Sequence, residues 1–192
     1  MKTKITDLVT MDEVKLNMAQ CTWHAMRGVL HLWTPEVANA QPYCELYEKK
    51  YFASRLPYTM KYVMYAHSAE VVNSYGYVKE KVTGVTREHF IGSYTVGECA
   101  FDNPDIYLAD GTFDTFSMEL YPYTFLANWV TKEQNELLST LKGAELTKDK
   151  YTKLGIQLLI NGDVVENPEL PEGFTEWEDE KYFPNSIFKL CA

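Results

Sequence analysis

The sequence predicts an α+β fold, with a helical N-terminal half packed with a β-hairpin-rich C-terminal half and an irregular acidic C-terminal tail. Three observations carry this. Apolar residues recur at helical period from Asp12 to Trp33. After Gly84 that period is lost and short aromatic and β-branched runs bounded by glycine or proline take over. Ile156–Ile160, Asn161-Gly162 and Val164-Val165 form the strongest hairpin signal in the chain, because Asn-Gly accepts the positive φ angles of a two-residue turn. Helices first and strands afterwards argue for α+β rather than alternating α/β. We therefore expect a helical lobe over residues 1–84 and a β-rich lobe over 85–192 with one helix near 132–142, both within one compact domain.

The elements follow in order. On a wheel of 100° per residue, Val14, Leu16, Met18, Cys21, Trp23, Met26, Val29, Leu30, Leu32 and Trp33 cover most of the first helix. Glu13, Asn17, Gln20, His24, Arg27 and His31 share a narrow polar arc, so this helix is expected to be buried nearly all round. Thr34-Pro35-Glu36 starts a second helix: a hydroxyl cap, proline at the first turn, and a carboxylate at the positive dipole end. Residues 43–55 read as a helix with Tyr43, Tyr47 and Tyr51 in an i, i+4 ladder, and 59–81 read as helical too. His89–Val96 and Phe113–Leu120 read as strands, with Ala109-Asp110-Gly111-Thr112 as a hairpin before the second. Thr131-x-x-Gln134 is a capping box, and Gly143 closes the helix it opens. Past Glu166, Pro168, Pro171 and Pro184 interrupt any regular element.

Composition narrows the class. At 192 residues and 46% hydrophobic content, the chain can bury a core without disulfide or metal. Its first residues lack the apolar segment of a signal peptide, and no run approaches the length of a membrane span. Cys21, Cys44, Cys99 and Cys191 lie far apart with no CxxC pair, so we expect reduced thiols and a cytoplasmic location. Fifteen lysines against three arginines, with fourteen tyrosines, suit an A/T-rich coding sequence, a bias common in phage genes that suggests a viral origin.

Charge is distributed unevenly. No lysine or arginine occurs from residue 88 to 131 or from 154 to 180, spans of 44 and 27 residues. Residues 1–90 carry eleven basic and nine acidic side chains, whereas 91–192 carry seven basic and eighteen acidic ones. The second half is therefore at −11, a one-sided field that speaks to partners rather than to fold. Asp102, Asp105, Asp110 and Asp114 lie in the first cation-free span; Glu172, Glu176, Trp177, Glu178, Asp179 and Glu180 lie in the second. Carboxylates mixed with aromatic residues suit docking onto a basic groove. Solvating surface is the plainer explanation, but such surfaces usually mix signs.

Other candidate sites compete with ordinary structural roles. His24, Arg27 and His31 recur along the polar arc of the first helix and offer a general base beside an anion-orienting guanidinium. A solvated helix edge explains them equally and is the commoner outcome. Cys21-x-x-His24 has a metal-pair spacing, but His31 lies about 10.5 Å further along the axis and no second short pair exists, so no metal is expected. Asp102-Asn103-Pro104-Asp105 does not match a calcium-loop pattern, and turn formation accounts for Asp102 and Asp110. Tyr43, Tyr47, Tyr51, Tyr58, Tyr62, Tyr65, Tyr75 and Tyr77 can stack on bases or anchor an interface, or sit at the core edge with hydroxyl outward. The phosphate-loop, dinucleotide, zinc-protease and serine-hydrolase signatures are absent, so no cofactor is expected.

The expectation is a non-enzymatic acidic protein-binding factor, such as a viral accessory inhibitor of a basic nucleic-acid-processing partner. A small hydrolase or transferase using the His/Arg arc is one alternative, and a structural virion or assembly subunit is another. Direct nucleic-acid binding by the protein as a whole is disfavoured by net charge, although the near-neutral N-terminal half leaves room for a local basic patch.

Overall fold

A computed structural model describes residues 7–32, 62–109, 111–141 and 150–165. The predicted helices at Thr34–Glu36 and 43–55 and the acidic tail from residue 166 lie outside them. The architecture is α+β: helices packed on a mixed five-stranded sheet in the order β2-β3-β1-β4-β5. Its strands are β1 (Val63–Ser68), β2 (Val85–His89), β3 (Leu126–Thr131), β4 (Leu158–Ile160) and β5 (Asp163–Val164). β1 and β3 run parallel and the other three pairings are antiparallel. The sheet joins both halves of the sequence, because β1 sits between β3 and β4. Among the described residues, no helix is long and apolar enough to cross a membrane.

The first helix, α1 (Glu13–Leu32), forms where its periodicity places it, with Asp12 accepting the Lys15 N–H at its start. Its buried face is narrower than the sequence implies. Ala19, Thr22, Trp23 and Met26 face inward, while Val14 and Leu16 are exposed. Trp23 anchors the helix by donating from Nε1 to the Tyr107 carbonyl at 2.8 Å. The i, i+3/i+4 subset alone found a partner surface, so the helix is amphipathic rather than enclosed.

Residues 59–81 do not form one helix. Val63–Ser68 is a strand, and Ser68 then accepts the Val71 N–H to start α2 (Ala69–Tyr75). A strand paired on both sides tolerates continuous apolar sequence, and that is the pattern that imitated a helix. β2 ends at His89, where the sequence suggested a strand would begin, and Ser93–Asp102 is α3. α4 (Pro104–Tyr107) follows, opened by proline at its first position.

Phe113–Leu120 is helical rather than extended. Thr112 accepts the Thr115 N–H to start α5 (Phe113–Thr115), which widens into a π-turn over Phe116–Leu120 closed by Tyr121 N–H to the Phe116 carbonyl. The segments expected to flank a hairpin at 109–112 are thus helical, Pro104–Tyr107 before it and Phe113–Thr115 after it, and Asp110 lies outside the described residues. Tertiary burial overrides strand propensity here: Phe116, Leu120, Tyr121 and Phe125 all enter the main core.

Two expectations hold closely. Thr131 and Gln134 form the reciprocal capping box of α6 (Lys132–Leu138), with both bonds at 3.1 Å, although the helix stops at Leu138 rather than 142 and Gly143 lies outside the described residues. β4 and β5 pair around Asn161 and Gly162, whose φ angles are 52° and 97°. A smaller apolar cluster of Val71, Val78, Val85 and Trp129 packs between α2, the loop after it, β2 and β3.

Candidate functional site

The densest buried polar arrangement joins β2, β3 and α7 (Lys150–Lys153). Antiparallel pairing sets Glu88 opposite Asn128, so both side chains leave the same sheet face. α7 brings Lys150 and Tyr151 against them. Lys150 is 2% exposed; its Nζ lies 2.7 Å from Glu88 Oε1 and 2.5 Å from the His89 carbonyl. The Tyr151 hydroxyl donates to Glu88 Oε2 and accepts from Asn128 Nδ2 at 3.0 Å. Asn128 Oδ1 in turn accepts the Ala66 N–H at 3.1 Å.

That last bond explains why an amide sits in the sheet. The β1–β3 register shifts between Met64 and His67, and Asn128 supplies an acceptor for the Ala66 N–H there. The chain of donors therefore runs from β1 through Asn128 and Tyr151 to Glu88, and Lys150 neutralises the carboxylate at its end. A buried carboxylate and ammonium need this completeness, because an uncompensated charge in the core is costly.

Burial lowers the Lys150 ammonium pKa, which the Glu88 charge and hydrogen bond oppose. Burial likewise raises the Tyr151 phenol well above its usual value, and the Glu88 charge adds to it. His89 leaves the strand on the other face. Burial lowers its pKa, Glu88 pulls it up, and Lys150 pushes it down. Its Nε2 shares a hydrogen bond with the Tyr62 hydroxyl at 3.3 Å, whereas buried Nδ1 has no partner among the described residues. Arg87 lies with its guanidinium 5.1 Å from the Tyr62 ring centre.

The predicted sites fall elsewhere. His24 is exposed on α1, edge-on to Trp23, and Arg27 stacks over the same ring at 4.5 Å. His31 lies further along the same helix, and neither His24 nor Arg27 joins the buried cluster. Asp102, Asp105 and Asp114 are exposed on α3, α4 and α5, which pack consecutively. Asp110 and the cluster Glu172, Glu176, Trp177, Glu178, Asp179 and Glu180 lie outside the described residues. Turn chemistry at Asn103-Pro104 is carried by Asn103, whose Nδ2 donates to the Cys99 carbonyl at 2.9 Å. Among the described residues, no three His, Cys, Asp or Glu side chains gather as metal ligands would.

Sequence reasoning missed the buried cluster. Glu88 counted there only as one carboxylate of a cation-free span, and Lys150 as one of the few cations in the acidic half. No family model matches this chain, and no curated protein or solved structure is significantly similar to it.

Proposed function

We propose that the protein is a non-enzymatic binding factor whose α3–α5 surface docks onto a basic protein. The observation that carries this reading is the company the carboxylates keep. Along Asp102–Glu119 the side chains of Asp102, Asp105, Asp114 and Glu119 are exposed, and Ile106 and Met118 are exposed among them at 37% and 66%. The sequence contributes no cation to this segment. Carboxylates speed encounter with a cationic surface, and the two apolar side chains gain by burial once contact is made. The π-turn that presents Met118 is a local distortion of a kind frequent at functional positions.

The groove of a nucleic-acid-processing enzyme has the required positive potential, and inhibition of such an enzyme in the cytoplasm, by a chain of viral origin, is the role we assign. A hydrolase at His24 and Arg27 gains less support, because both stand on the open side of α1 and Arg27 is already engaged with Trp23. Affinity capture from host lysate tests the reading. Wild-type protein should retain a basic protein at low salt and release it near molar salt. The variants D102K/D105K/D114K and I106A/M118A should each lose that same protein. Equal retention by all three forms, or retention insensitive to salt, overturns the proposal.

A further inference from the structure

At the end of β2 away from α7's contacts, the loop between α2 and β2 turns two valines inward and leaves the three residues between them exposed. Val78 and Val82 turn inward onto Val71, Val85 and Trp129, and Tyr77, Lys79 and Lys81 are left exposed. Tyr75 at the end of α2 is 48% exposed and Tyr77 is 42% exposed. The Tyr77 ring is nonetheless held. Tyr77 packs edge-on against His67 with centres 5.1 Å apart, and His67 Nε2 is fixed 2.9 Å from the Val78 carbonyl. The Tyr75 hydroxyl comes within 2.5 Å of the position a Cβ on Gly84 would take, and Gly84 turns there with φ of 90°. The Lys132 N–H bonds the Gly84 carbonyl at 3.0 Å, which brings a third exposed lysine to the same end.

We propose that Tyr75, Tyr77, Lys79, Lys81 and Lys132 form a binding site for single-stranded nucleic acid. An exposed aromatic ring already packed in place, as Tyr77 is against His67, loses little entropy when a flat ligand stacks on it. Bases supply such faces in any sequence, and the lysines supply phosphate contacts alongside. A duplex hides its base faces, so the site discriminates by strandedness rather than by sequence. Two carboxylates stand nearby. Glu80 lies between two of the lysines, and Glu133 is held at the start of α6, where backbone and Thr131 hydrogen bonds lower its pKa. Three lysines against the protein's net charge of −9 make this a weak, salt-sensitive site confined to one patch.

The test is fluorescence anisotropy with a labelled thymidine 12-mer, a uridine 12-mer, a 12-base-pair duplex and a 12-residue polyglutamate, all at low salt. Saturable binding of the single strands, weaker binding of the duplex and no binding of polyglutamate support the site. The logarithm of affinity should fall with that of salt at a slope of about −2, as expected for roughly three phosphate contacts on a single strand. Tyr75→Ala and Tyr77→Ala should each weaken single-strand binding by about fivefold or more. K79E/K81E changes only exposed side chains and should abolish binding with the melting temperature unchanged, which separates loss of the site from loss of the fold. Absence of saturable single-strand binding, equal binding of polyglutamate, or binding untouched by K79E/K81E overturns the proposal.

Discussion

Lys150 and Glu88 meet across 62 residues of sequence with Nζ and Oε1 2.7 Å apart, and the lysine is sealed from solvent. This contact clamps α7 onto the edge strand β2. Lys150 also occupies the His89 carbonyl on that strand, so one ammonium satisfies two acceptors. An edge strand whose outward carbonyl is taken by a lysine is a poor template for pairing with another chain.

Breaking the pair from one side should cost more than removing it. Glu88→Ala leaves a buried ammonium with no counter-charge, and Lys150→Met leaves the carboxylate with only the Tyr151 hydroxyl. Each single change should lower unfolding free energy by about 3–5 kcal/mol in urea titration. The double variant should lose less than the sum, with a coupling of at least about 1 kcal/mol. Additive losses would show that the two side chains do not act as a unit.

Acid should weaken the fold through His89 before the carboxylates titrate. Burial, opposed in part by Glu88 and reinforced by Lys150, holds the folded His89 pKa below the ordinary 6.5. The unfolded chain therefore binds a proton first as pH falls. Stability is full above pH 6.5 and declines from there down to the folded pKa. Tyr62, Glu88 and Lys150 are the polar or charged groups that act on it, and Lys150 opposes a second cation. His89→Gln should remove the decline that begins below pH 6.5 in melting curves, and an unchanged acid limb would exclude His89 as its source.

Alkali should weaken the fold as well. Burial raises the Cys99 thiol to about 12 from 9.0, with Asp102 adding to the effect. Burial likewise raises Tyr121 to about 12 from 10.0. The unfolded chain releases these protons first, so stability falls as pH climbs from 9 toward 12. Lys150 contributes with the opposite sign, because its lowered pKa favours the folded state as it deprotonates. Cys99→Ala should shift the onset of the alkaline loss upward by about one pH unit toward that of the tyrosines.

The polar network was illegible in sequence for a physical reason. The Thr131–Gln134 cap and the Asn161-Gly162 turn depend on neighbours within a few residues, and each emerged as read, whereas the apolar period of α1 located the helix but overstated its buried face. The network depends on strand register: Glu88 meets Asn128 only because β2 and β3 pair antiparallel, and Tyr151 arrives from a short helix further on. The elements misassigned, Val63–Ser68 and Phe113–Leu120, are short mixed segments in which only Ala66 and Ser68, and Phe116, Ser117 and Leu120, are fully buried. Runs this short fit helix and strand alike, so periodicity alone does not separate them. The Tyr75 and Tyr77 patch was half visible, since the tyrosine run stands out in the sequence but its exposure does not.

Asn128 offers a direct probe of the bulge. Asn128→Ala strips the acceptor from the Ala66 N–H and a donor from Tyr151 at a wholly buried position. An unsatisfied buried amide costs about 1–3 kcal/mol. Exchange of the Ala66 amide with deuterium should accelerate relative to other β1 amides, which a uniform loss of stability would not produce.

Gly111 and Gly28 should respond to alanine in opposite directions. A Cβ on Gly111 would collide with the Ile106 carbonyl and approach the Tyr107 nitrogen, both backbone atoms that cannot turn aside. α4 and α5 would have to separate, at a cost of about 1–3 kcal/mol. Gly28 lies within α1 with nothing near its added Cβ, so Gly28→Ala should stabilise the protein by about 0.5–1 kcal/mol through lost backbone freedom in the unfolded chain. The first substitution also bears on docking, because parting α4 from α5 moves Ile106 relative to Met118. If those side chains contact one partner together, Gly111→Ala weakens capture at temperatures where the protein is still folded, while Gly28→Ala leaves capture intact. Equal capture by both variants below their melting temperatures would show that the two apolar side chains do not act as one surface.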